Sequence, residues 1–165
     1  MFKTTTNGRL PTRGSKLSAC VDLYASEYIT IKAGEIAIVP LGVTLDKEMI
    51  LEKLMVEAPF DSEHYINEYI DSLAKTSYFQ LTPRSSLALK TGLVITNGVG
   101  IIDIDYEGVI GIILLNTKKE DVTVKIGDRI AQIAMLYHDT DWLDIDTEDE
   151  RTGGYGSTEE KKKLS

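Results

Sequence analysis

The chain has 165 residues, one domain's worth, with ordinary charged and apolar fractions and a net charge of −8. That charge argues against direct nucleic-acid binding, though a few arginines in a cleft can still reverse the local field for a small anionic ligand. No apolar run approaches the roughly 20 residues of a membrane span. The start, MFKTTTNGRLPTRG, lacks a secretory apolar core, and the single Cys20 permits neither an internal disulfide nor a cysteine metal cluster, which suits a reducing cytoplasm.

Two regions read as β. The first runs from Ala19 to Leu45, where ITIKAGEIAIVPLGVTL alternates Ile29/Ile31 and then Ile36/Ile38 around the turn KAGE. Between the two regions the pattern changes. DKEMILEKLM spaces Met49, Ile50, Lys53 and Leu54 as a helix does. After Pro59, Asp61 or Ser62 is a fitting N-cap for a helix with Tyr65, Ile66, Tyr69, Ile70 and Leu73 on its apolar face. Residues 46–76 thus form a small helical insert, read either as a lid over one end of the sheet or as a partner-binding surface. The second β region runs from Tyr78 to Leu136, through YFQL, GLVIT, GVIGIILLN, DVTVKI and RIAQIAML. Short Ile- and Val-rich strands broken by turn signals predict an all-β sandwich or barrel in a single domain, 1–165.

Several stretches could carry chemistry. In SACVDLYAS, Asp22 stands between Val21 and Leu23, an acidic residue in an apolar setting or a strand-end turn cap. In TPRSSLALK, Arg84 sits beside two hydroxyls where Pro83 ends an extended segment, the residue types of a phosphate site or of an ordinary helix start. In TNGVGIIDIDYEG, TNG signals a hairpin. An extended chain beyond it would put Asp103 and Asp105 on one side and Ile102 and Ile104 on the other. A carboxylate in so apolar a stretch is either a solvated edge residue or a general base for water. In KIGDRIAQIAML, a turn at Gly127-Asp128 precedes a strand whose Arg129 and Gln132 fall on opposite faces, with an Asp128–Arg129 contact as the structural alternative. RTGGYGST, at 151–158, follows an acidic stretch and combines Arg, Tyr, Ser and Thr with glycines, as a terminal tail or as a phosphate-gripping arm. His64 and His138 stand apart, and neither a P-loop, G-x-G-x-x-G, H-E-x-x-H nor G-x-S-x-G pattern occurs.

Taken together, ACVDLYA, PRSSL, NGVGIIDIDYEG, GDRIAQI and RTGGYGST resemble, in content and order, the five motifs of the trimeric dUTP pyrophosphatases (dUTPases). They extend from Ala19 to Thr158, nearly the whole chain. The insert between the first and second motifs resembles the extra segment of staphylococcal phage dUTPases. The resemblance implies an all-β, jelly-roll-like fold and a homotrimer whose active sites are shared between subunits. It implies hydrolysis of dUTP to dUMP and pyrophosphate, with Mg²⁺ on the triphosphate.

Carried over residue by residue, Asp103 is the general base. Tyr106 lies under the deoxyribose and leaves no room for a 2′-hydroxyl. Asn97 and the backbone of Gly98, Gly100 and Ile101 read the uracil edge. Arg84, Ser85 and Ser86 hold phosphate oxygens, with Gln132 at the α-phosphate, and Asp22 meets Mg²⁺ through water. Arg151 reaches the γ-phosphate, Tyr155 stacks on uracil, and Gly156, Ser157 and Thr158 cap the phosphates from an arm at 151–165. Two departures stand out: three residues separate Arg151 from Tyr155, one fewer than in many members, and Ser86 replaces a common Gly. The related dCTP deaminases share the fold but need an extra catalytic glutamate and typically lack the Gly-rich aromatic arm. A regulatory role is also implied, with the insert binding a repressor protein of a staphylococcal pathogenicity island.

Overall fold

The computed structural model describes residues 1–57, 68, 69 and 72–140. Its architecture is mostly β, as expected. The strands are β1 (Phe2–Thr4), β2 (Thr12–Arg13), β3 (Val21–Tyr24), β4 (Ile29–Ile31), β5 (Ile36–Pro40), β6 (Val43–Leu45), β7 (Ser77–Pro83), β8 (Leu93–Ile95), β9 (Gly100–Asp103), β10 (Gly111–Asn116), β11 (Val122–Val124) and β12 (Arg129–Tyr137). Helix α1 spans Lys47–Glu57 and α2 spans Ser85–Thr91.

The topology is that of one long antiparallel ribbon wound over itself. The run β3–β4–β5 lies against β12–β11–β10, pairing β3 with β12, β4 with β11 and β5 with β10. The ribbon bends at two corners. At one, the Ala25 N–H donates to Asp128 O and the Gly127 N–H to Ala25 O. The other brings KAGE, with Gly34 at φ 75, against the β10–β11 turn. Buried Asn116 staples this second corner: its Nδ2 donates to Ile31 O and Glu120 O, and its Oδ1 accepts from the Lys118 N–H. KAGE therefore turns the chain without closing a hairpin between β4 and β5.

Among the described residues the two larger sheets are β2-β3-β12-β7-β9 and β5-β10-β8, beside the two-stranded β4-β11 and β1-β6. Leu23, Phe79, Leu81 and Ile133 from the first join Val39, Leu93, Ile112 and Leu114 from the second in a single apolar core. Side chains alternate along each strand, so the other face of each sheet points away from this core. On the three-stranded sheet that outer face is itself apolar: Ile36 lies opposite Leu115 and Ile38 opposite Ile113. Both β5 residues are exposed, at 60% and 44%. The apolar alternation at Ile36/Ile38 thus marks a face outside this protomer's core, with Val39 as the inward residue.

Asp46 caps α1, its Oδ1 accepting the Met49 N–H at 3.3 Å. Ile50 anchors the helix in the core, whereas the neighbouring Met49 is exposed. Of the second expected helix, residues 68, 69 and 72–75 are helical, with Tyr69 and Leu73 half-buried. Pro59, Asp61, Ser62, Tyr65, Ile66 and Ile70 lie outside the described residues.

Candidate active site

The five-stranded sheet carries a polar row across its outer face. Thr12, Asp22, Gln132 and Thr82 are successive cross-strand partners on β2, β3, β12 and β7. Partners directly opposite in a ladder project to the same side. Asp22 is nearly buried, at 7% exposure, yet its environment is ionic rather than apolar. Its Oδ1 lies 3.0 Å from Arg84 Nε and its Oδ2 3.2 Å from Arg129 Nη1. Gln132, opposite Asp22, donates from Nε2 to Pro83 O at 3.5 Å. Two guanidinium groups on one carboxylate leave this end of the sheet positive, on a chain whose net charge is −8.

Chain geometry explains Arg84. Pro83 ends β7, Arg84 keeps an extended conformation (φ −71°, ψ 140°) as the N-cap residue of α2, and its N–H donates to Ile130 O. Buried Leu87 seats the short helix, and Gly92 ends it in a left-handed conformation at φ 73. Ser85 and Ser86 occupy the first turn, Ser85 exposed and Ser86 half-buried.

Arg129 differs from its expected placement. The β3–β12 register shifts between Arg129 and Ala131, a bulge that leaves Ile130 and Ala131 both buried. The extra residue turns Arg129 onto the face of Asp22 and Gln132 rather than the opposite one. Asp128 instead accepts the Lys125 N–H within the turn, and Arg129 pairs with Asp22 in place of the expected Asp128–Arg129 contact. Two further neighbours were not singled out from sequence: Tyr24, opposite Arg129, shares a hydrogen bond with Thr12, and the Arg9 guanidinium lies 4.3 Å from the Tyr24 ring centroid.

The TNGVGIIDIDYEG segment is also reshaped. β8 pairs with β10 while β9 pairs with β7, so TNG links two sheets and closes no hairpin between them. The Val99 N–H donates to Asn97 O around Gly98 at φ 72, a γ-turn suited to glycine. Asn97 is exposed, Gly100 packs against Leu81, and Ile101 is 54% exposed. After Asp103 the chain turns, with the Tyr106 N–H donating to Asp103 O. Asp103 and Asp105 therefore do not share one side of an extended strand. Asp103 is half-buried, Asp105 exposed, and Ile104 enters the core. The Tyr106 ring folds over Gly108, its hydroxyl donating to Val109 O at 3.4 Å. The pocket beside it, lined by Leu45, Lys47, Ile104, Asp105 and Glu107, holds about 60 Å³, too little for a nucleotide.

Asp103 projects from the same sheet face as Asp22 but stands far from it. It faces Tyr78, whose partner on β12 is Leu136, four residues along from Gln132. Three strand spacings and four residues of rise separate Asp103 from Asp22 by roughly 20 Å. One protomer thus brings Asp22, Arg84 and Gln132 together and leaves Asp103 and Tyr106 apart from them. Arg151, Tyr155, Gly156, Ser157 and Thr158 lie outside the described residues.

The expected Mg²⁺ can be tested against these groups. Among the described residues no cluster of three or more His, Cys, Asp or Glu could hold an ion. Mg²⁺ takes six oxygens and gives up its waters reluctantly. Asp22, with a guanidinium on each oxygen, fits an ion that arrives on nucleotide phosphates and keeps its water, not one held by a protein cage.

A family profile for dUTPase matches residues 63–159. The deoxyuridine 5'-triphosphate nucleotidohydrolase of Yarrowia lipolytica is 34% identical, over 96% of this chain and 89% of its own. The dUTPase of Streptococcus mutans superposes with a TM-score of 0.61 at 28% identity, over 83% of this chain and 94% of its own. The dUTPase of Staphylococcus bacteriophage 80alpha shares the fold, at TM-score 0.61 and 19% identity over 95% and 97% of the two chains. The chain belongs to the dUTPase family.

Proposed function

We propose that the protein hydrolyses dUTP to dUMP and pyrophosphate in a site shared between subunits of a homotrimer. The observation that carries this reading is the Arg84–Asp22–Arg129 cluster, a cationic seat on an acidic chain. A triphosphate carries about four negative charges, and such groups must be neutralised before a carboxylate can work beside them.

In this reading Arg84, Ser85 and Ser86 hold phosphate oxygens, and Gln132 approaches the α-phosphate. Asp103 takes a proton from a water. The water oxygen bonds to the α-phosphorus while the bond to the α,β-bridging oxygen breaks, and pyrophosphate departs. The base supplies about 10²–10⁴-fold, and positioning and charge stabilisation the rest. Mg²⁺ bound on the nucleotide would neutralise charge on the leaving group, and Asp22 would hold it through water. Asn97 and the backbone of Gly98, Gly100 and Ile101 recognise uracil, and Tyr106 excludes a 2′-hydroxyl. Arg151 meets the γ-phosphate, Tyr155 covers the base, and Gly156, Ser157 and Thr158 close over the phosphates.

The separation of Asp103 from Arg84 within one chain supports a site shared between copies. The apolar outer face of the three-stranded sheet, Ile36, Ile38, Ile113 and Leu115, supports burial against other copies.

Pyrophosphate release from each dNTP, with and without Mg²⁺, tests the proposal. dUTP alone should be turned over. Asp103→Asn should abolish turnover while a non-hydrolysable imido analogue of dUTP still binds. Ammonia release from dCTP would instead identify a deaminase.

A second reading adds repressor binding by the insert, 46–76. Exposed Met49, Met55 and Val56 on α1 favour it, being apolar residues that this protomer leaves largely uncovered. Replacing Met49, Met55 and Val56 with serine, which keeps core Ile50, should abolish repressor binding and spare dUTP turnover; unchanged binding would refute it.

A further inference from the structure

We infer that Arg129 is a positioning residue of the phosphate site: it steadies Asp22, and Asp22 orients Arg84. The inference rests on the reading above that Arg84 meets the triphosphate.

Three features carry it. The first is the choice of atoms. Arg84 meets Asp22 Oδ1 through Nε, while Arg129 Nη1 takes Oδ2. A bond at Nε sets the plane of the Arg84 guanidinium and leaves its two terminal nitrogens for a bidentate phosphate contact. Asp22 held by one partner could rotate about Cβ–Cγ and carry Arg84 with it. A second guanidinium on the opposite oxygen stops that rotation.

The second feature is the bulge at Ile130. In an unbroken strand Arg129 would share the inward face of Ala131 and Ile133. The bulge turns the Arg129 side chain to Asp22. Beside it, the Arg84 N–H donates to Ile130 O at 3.1 Å, one rung beyond the Ala131–Pro83 pair of the unshifted β7–β12 register, so β12 holds the backbone of Arg84 next to the residue that steadies Asp22.

The third feature is exposure. The Arg129 side chain is 47% exposed, against 9% for that of Asp22. Arg129 is not a core prop, and its removal should spare the fold while loosening the site.

The test uses the whole protein and four forms: wild type, Arg129→Gln, Asp22→Asn and the double variant, with Arg129→Lys as the conservative control. Binding of the imido analogue of dUTP and of deoxyuridine is measured by calorimetry, alongside thermal melting. Arg129→Gln should weaken the imido analogue about tenfold and leave deoxyuridine binding unchanged, and Arg129→Lys should recover part of the loss. On the Asp22→Asn background, Arg129→Gln should add nothing, because it acts through Asp22. Equal losses on both backgrounds would mean that Arg129 touches phosphate directly and would overturn the inference. So would unchanged analogue binding, or loss of both ligands with a lowered melting point. Wild-type protein that neither binds the analogue nor releases pyrophosphate from dUTP would overturn the proposed function itself, and this inference with it.

Discussion

Arg84 and Asp103 stand at opposite ends of β7: Arg84 leaves the strand after Pro83, while Asp103 faces Tyr78 near its start. On the proposed roles, a general base so far from its phosphate clamp would be idle within one chain. Subunits carrying Asp103→Asn and subunits carrying Arg84→Ala should each be inactive as homotrimers. Mixed by co-expression, they should regain activity, reaching about a quarter of wild type if each site takes one group from each of two neighbours at random. Pyrophosphate release from the mixture checks this, and no recovery would place both groups in one subunit's site.

Gly108 sets the posture of Tyr106. A Cβ at Gly108 would overlap the Tyr106 hydroxyl, and a side-chain tip can move aside at little cost to the fold. Gly108→Ala should therefore leave the melting temperature nearly unchanged and displace the ring. If Tyr106 excludes the 2′-hydroxyl, the kcat/KM preference for dUTP over UTP should fall roughly tenfold. An unchanged preference would separate Tyr106 from sugar discrimination.

Gly8 and Gly42 meet backbone to backbone where the amino-terminal loop crosses the β5–β6 turn. A Cβ on Gly8 would overlap the Gly42 carbonyl oxygen, and neither backbone segment is a flexible tip that can yield. Gly8→Ala should cost about 3 kcal/mol in denaturant unfolding. Gly34→Ala, where a Cβ would meet nothing within 4 Å, should cost less and only through its positive φ.

Asp46 makes the fold pH-sensitive on the acid side. Burial pushes its carboxyl up, but the Lys3 ammonium at 3.1 Å and the Met49 N–H outweigh this and hold it below the ordinary 3.8. A folded-state value below the unfolded one gives stability that is present above the unfolded pKa and lost as pH falls through the folded one. Asp46→Asn should melt lower than wild type at neutral pH. The two should converge as pH drops below the usual carboxylate range, and a constant gap in melting temperature would contradict the role of the charge.

Much of the fold was legible before any coordinates. Short Ile- and Val-rich runs and turn residues announce strands one by one, because alternation and turn propensity are local properties. Partner choice was not legible, since pairing joins residues far apart in sequence. KAGE looks like a hairpin turn whether its flanking strands pair with each other or with β11 and β10. The bulge at Ile130 has no local signature, so strand periodicity put Arg129 on the wrong face. The turn after Asp103 likewise broke the alternation assumed through Asp105.

The sequence by itself determined the all-β class and the family, because motif content and order are written along one dimension. Only the tertiary structure decided that Asp22, Gln132 and Thr82 form one row, that Arg129 joins Arg84 on Asp22, and that Asp103 stands a strand's length away. Those facts depend on ladder register and on which strands lie side by side, and register is set by burial of the whole sheet rather than by any one segment.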